Sequence, residues 1–427
     1  MMSPLPMAMA LFSAPRARPL RRWGLPLSVM SSLALVGCSS AGPLPSVLYV
    51  SIGTNADQTI DAQLLQDIRD RLSILEGGFR QIVPSVRFQF SLYPEARIPE
   101  VMRRRTRAAL GPDLMLLNGD TAVRMYKAGL VDVFPTTAEE RKRFNPQEVA
   151  RLQVPGGGLA GLPLLEQTQV ACFNRSRLQE APETLNELLT VSASGHPMGL
   201  SVDLDNVFWT AGSLGAVQGI NRAVTGGPLS PEERQGIVRW LAWLQNASAQ
   251  QRITFFANQA STVQEFAAGR LDWIPCQSVT VPRLRKQLGR SLGVTNLPRG
   301  DAGEPSPINR LRVLTLGRSS SRAGRHQALA FSRFATNPLS QRNLTLGSQT
   351  VLPANRFVKV PVQSSQTLEA MVRSSEQGRQ LDTLFQMLAA NDTRLPKVQV
   401  LLNGLVFGEN SPAATADALI HLLQSQR

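Results

Sequence analysis

The stretch GPDLMLLNGDTAVRMYKAGLVDVF, Gly111 to Phe134, carries the reading of the fold. Inside it PDLMLLN is a short apolar run bounded by Pro112 and by Asn118-Gly119, which places a buried strand at Asp113 to Asn118. Working back towards the N-terminus, a basic helix covers about Pro99 to Leu110 and VRFQFSL alternates as a strand from Val86 to Leu92. Before these, a helix begins at Ile60 with Leu64, Leu65, Ile68, Leu72, Leu75 and Phe79 on one stripe, and VLYVSIG reads as a strand from Val47. Strand, helix, strand, helix, strand is the order of a parallel sheet with crossover helices. Ligands of such sheets sit beyond the carboxyl ends of the strands. The polar groups just past the strands, Thr54 with its neighbours and Asn118 to Thr121, are therefore candidates for binding.

Towards the C-terminus, PGGGLAGLP (Pro155 to Pro163) formally contains the Gly156-x-Gly158-x-x-Gly161 fingerprint of dinucleotide sites. That fingerprint needs a strand before it and a helix after it. Here Pro163 and the strand QVACFN follow, so the segment reads as a turn. PETLNELL opens a helix in which Thr184 caps and Glu187 bonds back. Further helices are expected over Pro231 to Asn246, with Trp240 and Trp243 as core, and over Ser261 to Ala268. A Gly/Pro-rich connector after Val294 leads to a strand (Leu311 to Leu316), a helix (about Ala323 to Thr336) and at least three C-terminal helices.

The chain has 427 residues, 43% of them apolar and 18% charged, as in ordinary globular proteins. Its first 37 residues have arginines at 16, 18, 21 and 22, no acidic group, and a Trp23 to Val36 run that is short for a membrane span and contains Pro26. Leu35-Val36-Gly37-Cys38 resembles the lipobox of bacterial lipoproteins, which implies cleavage before Cys38, a lipid on that cysteine and a tether over 38–45. The Arg21-Arg22 pair lacks the usual continuation of a twin-arginine signal. Removing the 37 residues leaves 390, enough for two lobes, and lowers the net charge from +14 to +10. Export makes nucleic acid an improbable partner for this basic chain, whereas an anionic membrane face or an anionic ligand would suit it. The basic runs at Arg103 to Arg107 and Arg283 to Lys286 lack interleaved aromatics and read as solvated helix faces.

With Cys38 given to lipid, Cys172 and Cys276 remain; in an exported protein they can pair or stay as buried free thiols. Both fall at the ends of expected strands. Three histidines and no CxxC give no metal site, and no cofactor is expected. GxSxG, HExxH, P-loop and kinase signatures are all absent, so the chain is not read as an enzyme.

Five segments in order are similar to the bacterial family 1 extracellular solute-binding proteins, the maltose-binding-protein-like group of ABC importers. They are the opening stretch, GLAGLPLLEQTQVACFNRSRLQEAPETLNEL (Gly158 to Leu188), LGVTNLPRGD, HQALAFSRFATNPLSQ (His326 to Gln341) and VLPANRFV. The resemblance implies a two-lobed α/β periplasmic-binding-protein fold, each lobe a mostly parallel sheet flanked by helices. The lobes would span 46–163 plus 308–352 and 168–300 plus 356–427. Three hinge crossovers would lie near Leu164–Val170, Pro298–Ile308 and Val351–Arg356. It further implies Asp120 as a partner for ligand hydroxyls, Glu166 and Gln167 in the first crossover, and Asp205, Asn206 and Trp209 as a second-lobe loop whose aromatic stacks on ligand. Gln277 and Ser278 would form another contact loop after Cys276, and Leu117 stands where some members carry a stacking tryptophan. The implied function is a lipid-anchored monomeric receptor on the periplasmic side, delivering a sugar or polyol-like solute to ABC permease subunits. An organic anion or phosphorylated polyol, and ligand sensing without transport, are the alternatives. Only three tyrosines and five tryptophans occur, which leaves the solute class open, since sugar binders of this group stack rings on aromatics.

Overall fold

The computed structural model describes residues 46–55, 58 and 60–425; the segments expected from the sequence as export signal and tether, with Cys38, lie outside the described residues. Among the described residues twelve strands form two sheets. The first holds β1 (Ser46–Thr54), β2 (Val86–Pro94), β3 (Leu114–Asn118), β4 (Val131–Asp132), β5 (Leu162–Gln167), β11 (Arg310–Gly317) and β12 (Leu352–Pro353). The second holds β6 (Gln169–Asn174), β7 (Met198–Ser201), β8 (Ile253–Phe256), β9 (Trp273–Gln277) and β10 (Leu292–Thr295).

The first sheet runs β12-β5-β11-β3-β1-β2, with β4 on the far end of β11. Its parallel part is β2-β1-β3, the three strands read from the opening stretch outward. The second runs β10-β6-β9-β7-β8, parallel in β9-β7-β8. Strands that arrive from the other sheet enter antiparallel: β11 against β3, and β6 against β9. Both sheets are thus mixed, because a chain returning from the opposite half meets the sheet at its carboxyl edge and runs down it. The chain changes sheets at Thr168, between Thr295 and Arg310, and after Pro353.

Local chemistry accounts for the elements that position the site. Asp61 caps the Ala62–Ile82 helix by accepting from Leu64 N at 2.8 Å, and Leu75 and Phe79 are buried on its inner face. Leu65, read on the same stripe, instead lies outward at 37% exposure. Phe79 packs edge-on against Phe88 and Phe331, closing the first core. In the second half Trp240 is fully buried and Trp243 nearly so, and Trp240 donates to Thr210 Oγ1 at 2.8 Å. Cys172 and Cys276 form a disulfide between β6 and β9.

The crossings are tied to one another. Ser278 Oγ accepts from Thr168 N at 3.2 Å and donates to Thr350 O at 2.7 Å. Asn309 Oδ1 accepts from Gln169 N at 3.0 Å, and its Nδ2 donates to Ser374 O at 2.7 Å. The Asp382–Ala390 helix touches both halves: Leu384 and Met387 belong to the second core, while Phe385 and Ala389 pack with Ala122 and Leu152 of the first.

Candidate functional site

A cleft of about 240 Å³ opens where the carboxyl ends of β1 and β3 face the second half. Asn118 ends β3, and Asp120 stands in the first turn of the Gly119–Lys127 helix, where an acidic group is favoured by the helix N-terminus. Asp120 Oδ2 accepts from Arg124 Nη1 at 2.7 Å, and the same Nη1 donates to Leu388 O at 2.7 Å. Across the cleft Asp205 pairs with Arg310 of β11 at 3.5 Å, joining the two halves. Phe385 lines the cleft with the Arg151 guanidinium 5.2 Å from its ring centre.

Beneath this surface lies a buried ionic network. Arg312, 3% exposed, donates from Nη1 to Asn118 Oδ1 at 2.6 Å and to Glu95 Oε1 at 3.2 Å. Its Nη2 donates to the carbonyls of Gly53 at 2.5 Å and Leu116 at 3.1 Å. Glu95 also accepts from Asn118 N at 2.6 Å and Thr121 Oγ1 at 2.8 Å. A side chain at position 53 would stand 2.6 Å from the Glu95 carboxylate arm, so Gly53 is what lets the strand approach it. Burial raises the Glu95 carboxyl, while Arg312 pulls it down. Asn118 Nδ2 donates to Asn55 Oδ1 at 3.0 Å, and Asn55 Nδ2 to Gln167 Oε1 at 2.9 Å. This network orients the amides at the cleft floor.

Asn118, Asp120 and Asp205 therefore come together at the cleft. Gln167 reaches it through Asn55, and Thr54 is buried beside it with a 3.4 Å bond to Tyr93 O. Trp209 is different: it is fully buried in the second core, with its ring centre 6.2 Å from that of Trp273, and offers no stacking face. Its position follows the Leu204–Val207 turn, which points polar Asp205 outward and turns the next apolar positions inward. Asn206, Gln277 and Ser278 are also buried away from the cleft; Asn206 O accepts from Gln169 Nε2 at 2.8 Å, and Ser278 joins the crossings. Leu117 is fully buried in the first half.

Sequence reading missed Glu95, Arg310 and Arg312. One signal was available: Glu95 follows β2 as Asn118 ends β3, and two arginines interrupt an otherwise apolar strand at 310–316. Phe385 had no such signal, because its helix reaches the cleft through tertiary packing alone.

Glu166 accepts from Ser375 Oγ at 2.6 Å, tying β5 to the Gln366–Gln377 helix. Burial, and then the Glu166 carboxylate, push nearby Glu148 up to about 8, against Arg151 and Arg379, which pull it down. A carboxyl raised in the folded state holds its proton more tightly than in the unfolded chain. Its contribution is therefore favourable at low pH and is lost as pH rises from about 4.5 to about 8. Glu148→Gln should match wild type near pH 4.5 and exceed it by up to about 4 kcal/mol at pH 8.5. Urea unfolding of both proteins across that range checks this; parallel stability curves would refute it.

Among the described residues no cluster of three histidine, cysteine or acidic side chains is placed to hold a metal ion. A family model described as bacterial extracellular solute-binding protein matches residues 102–370, more than half of the chain. No curated protein matches in sequence. Among solved structures the chain is similar to the GacH receptor of Streptomyces glaucescens, crystallised unliganded and with acarbose, at TM-score 0.67 and 17% identity over 90% of this chain and 100% of that one. It is similar to the maltose-maltodextrin binding protein of Alicyclobacillus acidocaldarius at TM-score 0.62 and 16% identity, over 89% and 100%. An ABC transporter solute-binding protein of Thermotoga lettingae, bound with α-D-tagatose, aligns at TM-score 0.64 and 13% identity, over 88% and 99%. These likenesses establish the two-lobed fold.

Proposed function

Because the chain belongs to the bacterial extracellular solute-binding proteins, we propose that it binds a compact, neutral, hydroxyl-rich solute, a sugar or polyol, between its two lobes. The lobes are 46–163 plus 308–352 and 168–300 plus 356–427, hinged at the three crossings, and closure presents the loaded protein to ABC permease subunits. Export and lipidation at Cys38 would hold it, as a monomer, at the periplasmic face of a membrane.

The observation that carries this reading is the pairing of charge in the cleft. Asp120 is matched by Arg124 and Asp205 by Arg310, and over the whole lining three carboxylates (Glu95, Asp120, Asp205) meet three guanidiniums (Arg124, Arg151, Arg310). The walls thus offer oriented donors and acceptors without a surplus charge, which suits hydroxyl groups better than an anion. The cleft's 240 Å³ lies at or below the small end of ligand sites, roughly 300 Å³, and favours a monosaccharide-sized solute.

A carboxylate that loses water on closure must regain hydrogen bonds from the solute. Asp120→Ala should therefore weaken binding by about 1.5–3 kcal/mol, roughly 10- to 150-fold. A thermal-shift panel of sugars, polyols and organic anions selects the best hit, and calorimetric titration of wild type and Asp120→Ala at low and high salt measures the loss. Equal or tighter binding by the variant, with steep weakening in salt, would reject a neutral solute in favour of an anion.

A further inference from the structure

Under the cleft floor, between the Ala62–Ile82 helix and the first sheet, lies a small cavity of about 60 Å³, lined in part by half-buried side chains. Most of its wall is apolar, including Leu72, Leu164 and Leu344; its polar lining is Arg71, Arg312, Gln58 and Gln167. Each of these four has hydrogen-bond donors to offer, and the two amide oxygens among them each hold one hydrogen bond already. Gln58 Oε1 accepts from Asn55 N at 3.3 Å and Gln167 Oε1 from Asn55 Nδ2 at 2.9 Å, leaving their amide N–H groups for the cavity. Arg312 Nε is buried without a protein partner, although both its Nη groups are engaged. The nearby carbonyls of Gly53 and Leu116 already accept from Arg312, and that of Leu164 accepts from Gln341.

Charge points the same way. Glu95 balances Arg312 on the cleft side. Arg71 donates from Nε to the Asp67 carbonyl at 3.0 Å, while Lys286 and Gln63 both donate to Asp67 Oδ1. Burial first, and also Arg312, hold the Arg71 guanidinium down at about 10, with Asp67 and Asp70 opposing. Among the described residues a water molecule placed here would meet more free donors than acceptors, because the amide and carbonyl oxygens around it already hold hydrogen bonds. A small anion would accept from every group present and would offset the second arginine's charge in apolar surroundings.

We infer that this cavity is a binding site for a small monovalent inorganic anion, held between Arg71 and the Nε–H of Arg312 with the amides of Gln58 and Gln167. The site lies behind the cleft floor, shares Arg312 and Gln167 with the network that orients it, and does not depend on the identity of the solute. Its volume, that of about two water molecules, admits a halide and excludes sulfate with its hydration shell.

Two measurements on the wild-type protein test it: anomalous diffraction from crystals soaked in sodium bromide, and thermal unfolding in sodium chloride against sodium gluconate at matched ionic strength. A bromide peak within hydrogen-bonding distance of Arg312 Nε is expected, with a saturable rise in Tm of about 1–3 °C in chloride but not gluconate. Arg71→Met should lose both the peak and the rise, and Arg71→Lys should retain a weakened peak. Absence of the wild-type peak, or a chloride response equal in wild type and Arg71→Met, would overturn the assignment.

Discussion

Arg312→Met is expected to destabilise the protein by about 3–5 kcal/mol, the usual cost of removing one member of a buried ion pair. The methionine would fill much of the same volume, so the loss comes from polar groups left behind rather than from a cavity. Glu95 would keep its burial but lose its countercharge, and the carbonyls of Gly53 and Leu116 would lose their donor. The Asn118 amide would lose its anchor at the cleft, so solute affinity should fall as well. Adding Glu95→Gln should recover part of the stability, because the uncompensated carboxylate is then gone. Urea unfolding of wild type, both single variants and the double variant measures the coupling. A loss below about 1 kcal/mol for Arg312→Met, or no recovery in the double variant, would show that the pair is not a stabilising unit.

The second large effect concerns the disulfide. Cys172 and Cys276 are separated by 104 residues, and their strands are hydrogen-bonded neighbours, with Cys172 opposite Ile274 and Val170 opposite Cys276. Cross-linking so long a loop restricts the unfolded chain, and the chain-entropy model puts the gain at about 4–5 kcal/mol. The double replacement Cys172→Ala/Cys276→Ala should lower unfolding free energy by an amount approaching this, and reductant should lower the wild type but leave the variant unchanged. Both sulfurs lie in the apolar layer formed with Val170, Phe266 and Ile274, so the residual core of the variant should still form. Two alkylatable thiols in denatured, unreduced protein would remove the prediction.

The strand order around Gly111 to Phe134 was legible in the sequence because buried strands and amphipathic helices leave short-range periodic patterns. The same reading brought Asn118 and Asp120 to the carboxyl end of the sheet, where the cleft opens, since a position just past a parallel strand is itself a statement about place. The helix cap at Thr184 is likewise local, a side chain accepting from a backbone N–H three residues on. What local pattern cannot report is which face of a short turn meets solvent. Asp205 reached the cleft and Trp209, four residues later, went into the core, because the second half needed an apolar group against Trp273. Nor does any periodicity tell that Arg312 crosses to Glu95, 217 positions away, or that Phe385 arrives beside Arg151. The sequence determined the order and type of the elements and the strand ends that open on the cleft. Tertiary structure alone decided which charges pair, which aromatic lines the cleft and which donors converge on the small cavity, because those depend on distances between segments far apart in the chain.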